Sequence, residues 1–291
     1  MSLVNAKELL IKATREKYAV GAFNITSLVQ MEAVIEAHVD RKAPVIIQTS
    51  VAPTRLLGIP VLVAIYRTLA ESAPIPICLH LDHCSDVAYC KKCADAGYTN
   101  IMVDASKQPF EENIRQTKEV ADYCHSIGII SVEGEMGTVG GVEDQVRVVE
   151  SEAELCNPNQ VLEFVERTGV DLLAPAIGTA HGIYKTKNPK IDIERFKKIF
   201  EILNGQSIRT PLVVHGGTGL PRDTVERLIS SGGSKVNVST ELKHSMIDAI
   251  YQYITDHREE YDPGKIDQAV KEAIKKTVFN WIEWFGCSGK A

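Results

Sequence analysis

Residues 76–106 read PICLHLDHCSDVAYCKKCADAGYTNIMVDAS, and the order of residue types in this stretch decides the fold class. An apolar run, Pro76–His83, leads into a helix-like segment around Cys90 and Cys93 and then into a second apolar run, Asn100–Ser106. Strand, helix and strand in about 30 residues make the βαβ unit of a parallel sheet. Both strands end in groups that carry chemistry: Asp82 and His83 on the first, Asp104 on the second.

The same alternation continues in both directions. Strands are expected near Tyr18–Ile25 and Ala43–Ser50 on one side, and near Ile130–Met136, Leu172–Gly178, Pro211–Gly217 and Lys235–Thr240 on the other. Helical patterns follow them, among them Leu28–Arg41, Phe110–Ser126, Pro158–Thr168 and Arg222–Ser230. Eight strands with crossover helices imply an α/β fold, a (β/α)8 TIM barrel in which residues 1–291 form one domain. Asn5–Lys17 reads as an extra N-terminal helix, and Lys265–Phe285 as a long amphipathic helix in a C-terminal extension. The barrel also explains where the polar residues fall. Asn24, Ser50, Asp82, His83, Asp104, Glu135, His215 and Asn237 all sit at C-terminal ends of strands, the edge where eight strands converge on one opening. A doubly wound open sheet would gather its ligands at a single switch point instead.

Hydrophobic residues make up 44% of the 291 and charged residues 24%, enough for a large core. The net charge of −6 argues against nucleic acid or an anionic membrane as partner. The seven cysteines lack the spacing of a secreted disulfide framework, and Cys90-x-x-Cys93 has no second pair with which to build a zinc site. Both cysteines read as buried residues of one helix face. No signal peptide is evident and no apolar run reaches the length of a membrane span, so a cytoplasmic location is expected.

Three histidines near separate strand ends suit a catalytic metal with one open position. His83 lies in CLHLDH, His181 in GTAHGIY and His215 in VVHGGTG. Strict alternation puts His80 and Asp82 on one face and turns His83 elsewhere unless the strand has ended. His38, His125, His244 and His257 lie in helical, charged surroundings and are expected at the surface. Asp82 reads as a general acid/base or as an orienter of an imidazole. Asp104 and Glu135 could hold a second cation or orient the ligand histidines. Glu133 and Glu135 both point into the barrel, which is costly without a cation. No lysine is expected at a central strand position. The HGGTG and NVST turns occupy the strand-seven and strand-eight positions where barrels bind phosphate, with Lys185 nearby. The stretch from Gly137 to Asn157, opening GTVGGVED, has the glycines and length of a lid.

Taken together, YAVGAFN, LHLDH, VDAS, VEGEMGTVGGVED, GTAHGIY, VVHGGTG, KVNVSTELK and FGCSGKA resemble, over essentially the whole chain, the class II, zinc-dependent ketose-bisphosphate aldolases. AIGTAHG, TELK and the tail are more similar to the tagatose-bisphosphate branch than to the fructose-bisphosphate enzymes. The resemblance implies a Zn2+ ion on His83, His181 and His215, with Asp104 and Glu135 as an alternative metal position. It implies that Asp82 moves the C4 hydroxyl proton and Glu143 the C3 proton of dihydroxyacetone phosphate. Asn24 and Asn237 would lie near substrate hydroxyls. Gly182, Lys185, Gly216, Gly217, Ser239 and Thr240 would cradle the C1 phosphate, with Ser50 further round, Lys243 toward the distal phosphate and a monovalent cation close by. Zinc would act as a Lewis acid on the C2 carbonyl. A homodimer or homotetramer is implied, with an accessory subunit as in some tagatose-type enzymes.

Two positions depart from the family pattern. Asp262-Pro263-Gly264-Lys265 stands where many relatives have Asp-Pro-Arg, whose arginine meets the distal phosphate; a glycine offers no such charge. Ser239 replaces an aspartate typical of the fructose-type enzymes. The expected reaction is reversible cleavage of a ketose 1,6-bisphosphate, with a ketose 1-phosphate of different distal group, or a non-catalytic accessory barrel, as the alternatives.

Overall fold

The structure is a computed structural model that describes residues 3–143, 146–148, 153–184, 186, 188–205, 207 and 209–291. Eight parallel strands close into a barrel. In chain order they are β1 (Val20–Asn24), β2 (Val45–Ser50), β3 (Ile77–Cys84), β4 (Asn100–Val103), β5 (Ser131–Met136), β8 (Leu172–Pro175), β10 (Leu212–Val214) and β11 (Gly233–Val238). The ring closes where β1 pairs with β11, Ala22 opposite Asn237, so the first and last strands sit side by side. The strands are covered on both faces, and every residue of β3 is buried. This is why they read as short apolar runs rather than as apolar–polar alternation.

The helices form the outer layer. Helix α2 (Leu28–Asp40) follows β1, α3 (Val51–Leu57) and α4 (Ile59–Ser72) both fill the next crossover, and α5 (Val87–Ala96) and α6 (Phe110–Ile127) follow β3 and β4. Helices α7 (Val161–Thr168), α8 (Ile193–Asn204), α9 (Arg222–Ser230) and α10 (Thr240–Asp256) complete the circuit. The expected N-terminal helix is α1 (Ala6–Glu16), started by Asn5, whose side chain accepts from the Glu8 N–H, and ended by Lys17 in the left-handed region at φ 57°. Its Ala6 N–H bonds to Ser131 Oγ at the start of β5 and so ties α1 to the barrel floor. The C-terminal helix α11 (Pro263–Phe285) starts on Asp262, with Pro263 in its first turn, and stops at Gly286. It buries Val270, Ile274, Val278, Trp281, Ile282 and Phe285, each worth about 1.5–3 kcal/mol of apolar burial.

The stretch from Gly137 to Asn157 contains more regular structure than a lid loop needs. Strands β6 (Gly140–Glu143) and β7 (Val146–Val148) pair antiparallel, and β6 also pairs in parallel with β9 (Ala180–His181). For Val142, Glu143 and residues 146–148 only the backbone is described. The seven cysteines are buried, free thiols, Cys90 and Cys93 among them. Among the described residues no helix is long and apolar enough to cross a membrane.

Candidate active site

The site lies over the C-terminal rim of the barrel. On β3, alternation alone would turn Asp82 and His83 to opposite faces. The strand instead shifts register against β4 between Leu81 and Cys84, and His83 takes φ 45°, so that both side chains face the opening. Left-handed backbone at a non-glycine residue is strained, and such strain collects at working sites. The rings of His83, His181 and His215 then converge, with His83 4.7 Å from His181 and 4.5 Å from His215, centroid to centroid. Their candidate ligand nitrogens lie within 4.8 Å of one another, as do the candidate ligand atoms of a second set, a nitrogen of His83 and carboxylate oxygens of Asp104 and Glu135.

The carboxylates around this cluster orient the rings. Asp104 Oδ2 meets His83 Nδ1 at 2.8 Å, which turns Nε2 of that ring toward the centre, and Ser106 holds the other Asp104 oxygen. Glu133 Oε1 accepts from His215 Nε2 at 2.9 Å, which turns Nδ1 inward. Glu135 Oε2 lies 3.2 Å from that Nδ1, yet neither buried atom makes a well-formed hydrogen bond. A cation between the two would resolve that contact. Burial lowers the His83 pKa, but Asp82, Asp104 and Glu135 outweigh it and raise the value well above the ordinary range. The cluster calls for positive charge at its centre. His181 goes the other way: burial first, then the charges of His83 and His215, hold it well below, as the neutral imidazole a metal requires.

Asp82 is fully buried among amides. Asn24 Nδ2 and Gln48 Nε2 donate to Oδ2 at 2.9 and 3.3 Å, and Asn237 Nδ2 donates to Oδ1 at 3.2 Å. Burial pushes its carboxyl pKa up, but His83, His80 and the Lys235 ammonium more than offset this and keep it ionised, well below the usual range.

Next to the metal cluster, His181, Gly182, Gly216, Gly217, Thr218, Asn237, Ser239 and Thr240 line a small pocket. It opens on the N-terminus of α10, where backbone N–H groups favour an anion. The buried Thr218 Oγ1 and Ser239 Oγ have no hydrogen-bond partner among the described residues. Gly216 takes φ 67°, and a Cβ there would stand 2.4 Å from the Ala180 carbonyl oxygen. Tyr184 fastens the two turns together, its hydroxyl donating to Gly216 O at 2.8 Å and accepting from Ala180 N at 3.0 Å. Of the other expected residues, Ser50 is buried at the end of β2, in register with Asp82, and Lys243 sits in the first turn of α10 outside the pocket lining. Lys185 lies outside the described residues. Glu143 ends β6, two residues beyond Gly141, which is in register with His181.

Three sequence expectations need correction. His38 is wholly buried, its Nδ1 2.8 Å from Val34 O and its ring packed on Phe23, because it lies on the barrel-facing side of α2. A lysine does occupy a central strand position: Lys235 on β11 is fully buried inside the barrel, 2.8 Å from Glu133 Oε2. Glu133 therefore has a lysine, not a metal, as its cation. Gln48, His80, Asn100, Thr218, Tyr184 and Lys235 were missed as site residues; Lys235 was findable, since alternation from Asn237 places it on the same inward face.

A profile of the family described as Fructose-bisphosphate aldolase class-II matches residues 4–290. The chain belongs to the class II fructose-bisphosphate aldolase family. It is thereby an enzyme of the aldehyde-lyase type. The fructose-bisphosphate aldolases of Geobacillus stearothermophilus and Staphylococcus aureus are each 42% identical to it, over all of this chain and 99% and 100% of theirs. The crystal structure of the YdjI aldolase from Escherichia coli K12 superposes with a TM-score of 0.84 at 30% identity, covering 99% of each chain. Class II aldolases are zinc-dependent as a family, and the three-histidine cluster fits such an ion: three converging imidazoles, inward carboxylates and the Glu135–His215 contact all favour a dication.

Proposed function

We propose that the chain catalyses reversible C3–C4 cleavage of a ketose 1,6-bisphosphate, of fructose or tagatose type, to dihydroxyacetone phosphate and an aldehyde phosphate. One juxtaposition carries this reading: a three-histidine cluster, a buried carboxylate held by three amides and an anion pocket built on the turns after β10 and β11 adjoin one another. Zinc held by His83, His181 and His215 would supply positive charge that polarises the C2 carbonyl and spreads the charge left on the three-carbon fragment. Asp82 accepts the C4 hydroxyl proton as the C3–C4 bond breaks and returns it in the condensation direction; Asn24, Gln48 and Asn237 fix its position. The C1 phosphate binds at Gly182, Gly216, Gly217, Ser239 and Thr240, where backbone N–H groups and the α10 N-terminus meet it, with Lys185 and a monovalent cation adding charge. Glu143, carried on the strand paired with His181, exchanges the C3 proton of dihydroxyacetone phosphate.

A second reading concerns the distal end of the sugar. Lys265, the cation beside Gly264, is paired with Glu260 at the base of α11. This pairing favours an aldehyde fragment whose terminal group is not a phosphate. Steady-state cleavage of fructose and tagatose 1,6-bisphosphates beside their 1-monophosphates, with zinc present, decides both questions. Bisphosphates preferred by an order of magnitude or more exclude the second reading, and no cleavage of any ketose 1-phosphate excludes both. For assembly, the exposed row Ile247, Tyr251 and Ile254 on α10 supports self-association as a homodimer or homotetramer.

A further inference from the structure

Beside the three histidines lies a row of buried polar side chains that reaches the site through His215 and Asp82. Lys235 Nζ donates to Glu133 Oε2 at 2.8 Å and lies 3.3 Å from His80 Nε2. The second Glu133 oxygen meets His215 Nε2 at 2.9 Å. The row continues from His80 Nδ1 to the Asn100 amide, and from Asn100 to Ser131 Oγ at 2.6 Å. Its hydrogen-bond directions follow from the groups themselves. An ammonium only donates and an ionised carboxylate only accepts, so the His215 proton belongs on Nε2. Nδ1 then carries the lone pair on the side where Glu135 and His83 gather.

We propose that Lys235 and Glu133 are positioning residues of the metal centre: Lys235 holds the Glu133 carboxylate, and Glu133 holds the His215 proton on Nε2 so that Nδ1 is offered to the metal. The proposal rests on the three-histidine ligand set. Partners of this kind commonly change metal affinity by 10- to 100-fold. Here the lysine also fixes which way the partner's atoms face.

Glu133→Gln preserves shape and tests this directly. Lys235, a pure donor, selects the amide oxygen and turns the NH2 group toward His215. Nε2 must then accept, and the ring proton moves to Nδ1, the atom the metal needs. Adding Lys235→Met removes that selection, because a thioether side chain leaves the amide free to turn its oxygen back toward Nε2–H. The second substitution should therefore repair the first.

The readout is Zn2+ affinity of the full-length, metal-stripped protein in competition with a chromophoric chelator, with the visible spectrum of the Co2+ form as a second measure. E133Q should bind zinc about 10- to 100-fold more weakly than wild type, and E133Q/K235M should recover at least about tenfold of that loss. A purely structural role predicts the opposite order, since the double variant loses two buried interactions. E133Q within about threefold of wild type, or a double variant no tighter than E133Q, would overturn the proposal. His181→Ala keeps the ligand set separate: loss of tight binding there but not in E133Q leaves the ligand set standing and removes the pair's role. A wild-type chain that takes up no zinc would overturn both.

Discussion

Replacing Asp82 with asparagine separates its chemistry from its place in the fold. The three amides around it donate at 2.9, 3.3 and 3.2 Å, two to one oxygen and one to the other. An asparagine can keep its oxygen toward Asn24 and Gln48, leaving its NH2 opposed to that of Asn237. The mismatch costs about 1–3 kcal/mol of stability, opposed by release of a fully buried charge, so the variant should fold. Its activity should fall much further. An amide cannot take the C4 hydroxyl proton, and a positioned acid/base is typically worth about 10²- to 10⁴-fold. At 1.36 kcal/mol per decade, this is about 2.7–5.4 kcal/mol of barrier. The assay is NADH-linked release of dihydroxyacetone phosphate from the bisphosphates at saturating zinc, beside isotope exchange at C3 of dihydroxyacetone phosphate, which does not involve the C4 hydroxyl. Cleavage should collapse while exchange persists. A kcat for cleavage within tenfold of wild type, with zinc bound, would refute the acid/base role and leave Asp82 as an orienter of His83.

Three further outcomes can be checked separately. Stripping the protein with a chelator should abolish cleavage and lower its melting temperature, and zinc should restore both; full activity without metal would refute the ligand assignment. Gly216→Ala should raise KM by about tenfold or more, because a left-handed backbone and a Cβ 2.4 Å from Ala180 O force apart the turn and the strand that carries His181; an unchanged KM would show that the pocket does not hold the phosphate. His38 links stability to pH. Burial lowers its pKa to about 4, against 6.5 for the exposed group, so between those values the unfolded chain binds the extra proton. The contribution is present above pH 6.5 and is lost as pH falls toward 4, by about 3 kcal/mol in all. Urea unfolding of metal-free protein from pH 7 to 4 should show a shallower decline for His38→Leu, and parallel curves would contradict the assignment.

The barrel itself was legible in the sequence because its signals are local. Each strand is a short run with both faces covered, the helices carry their own period, and the rule that active groups ride strand ends marked Asn24, Asp82, His215 and Asn237. Turns carry the same kind of local information, so the glycine-rich HGGTG and the NVST segment pointed to the pocket after β10 and β11.

Tertiary structure decided what depends on residues far apart in the chain. Period-two counting turned His83 away from Asp82; the register shift against β4 and the positive φ bring it back. His38 has polar neighbours in sequence but faces Phe23 in space. The cation for Glu133 lies 102 positions away on β11, and only closure of the ring places the two 2.8 Å apart. The strand leading to Glu143 is set by pairing with β9 rather than by its glycines. Periodicity records which face a side chain takes within its own element. Which donor meets which acceptor across the barrel is set by packing and by the requirement that every buried charge find a partner.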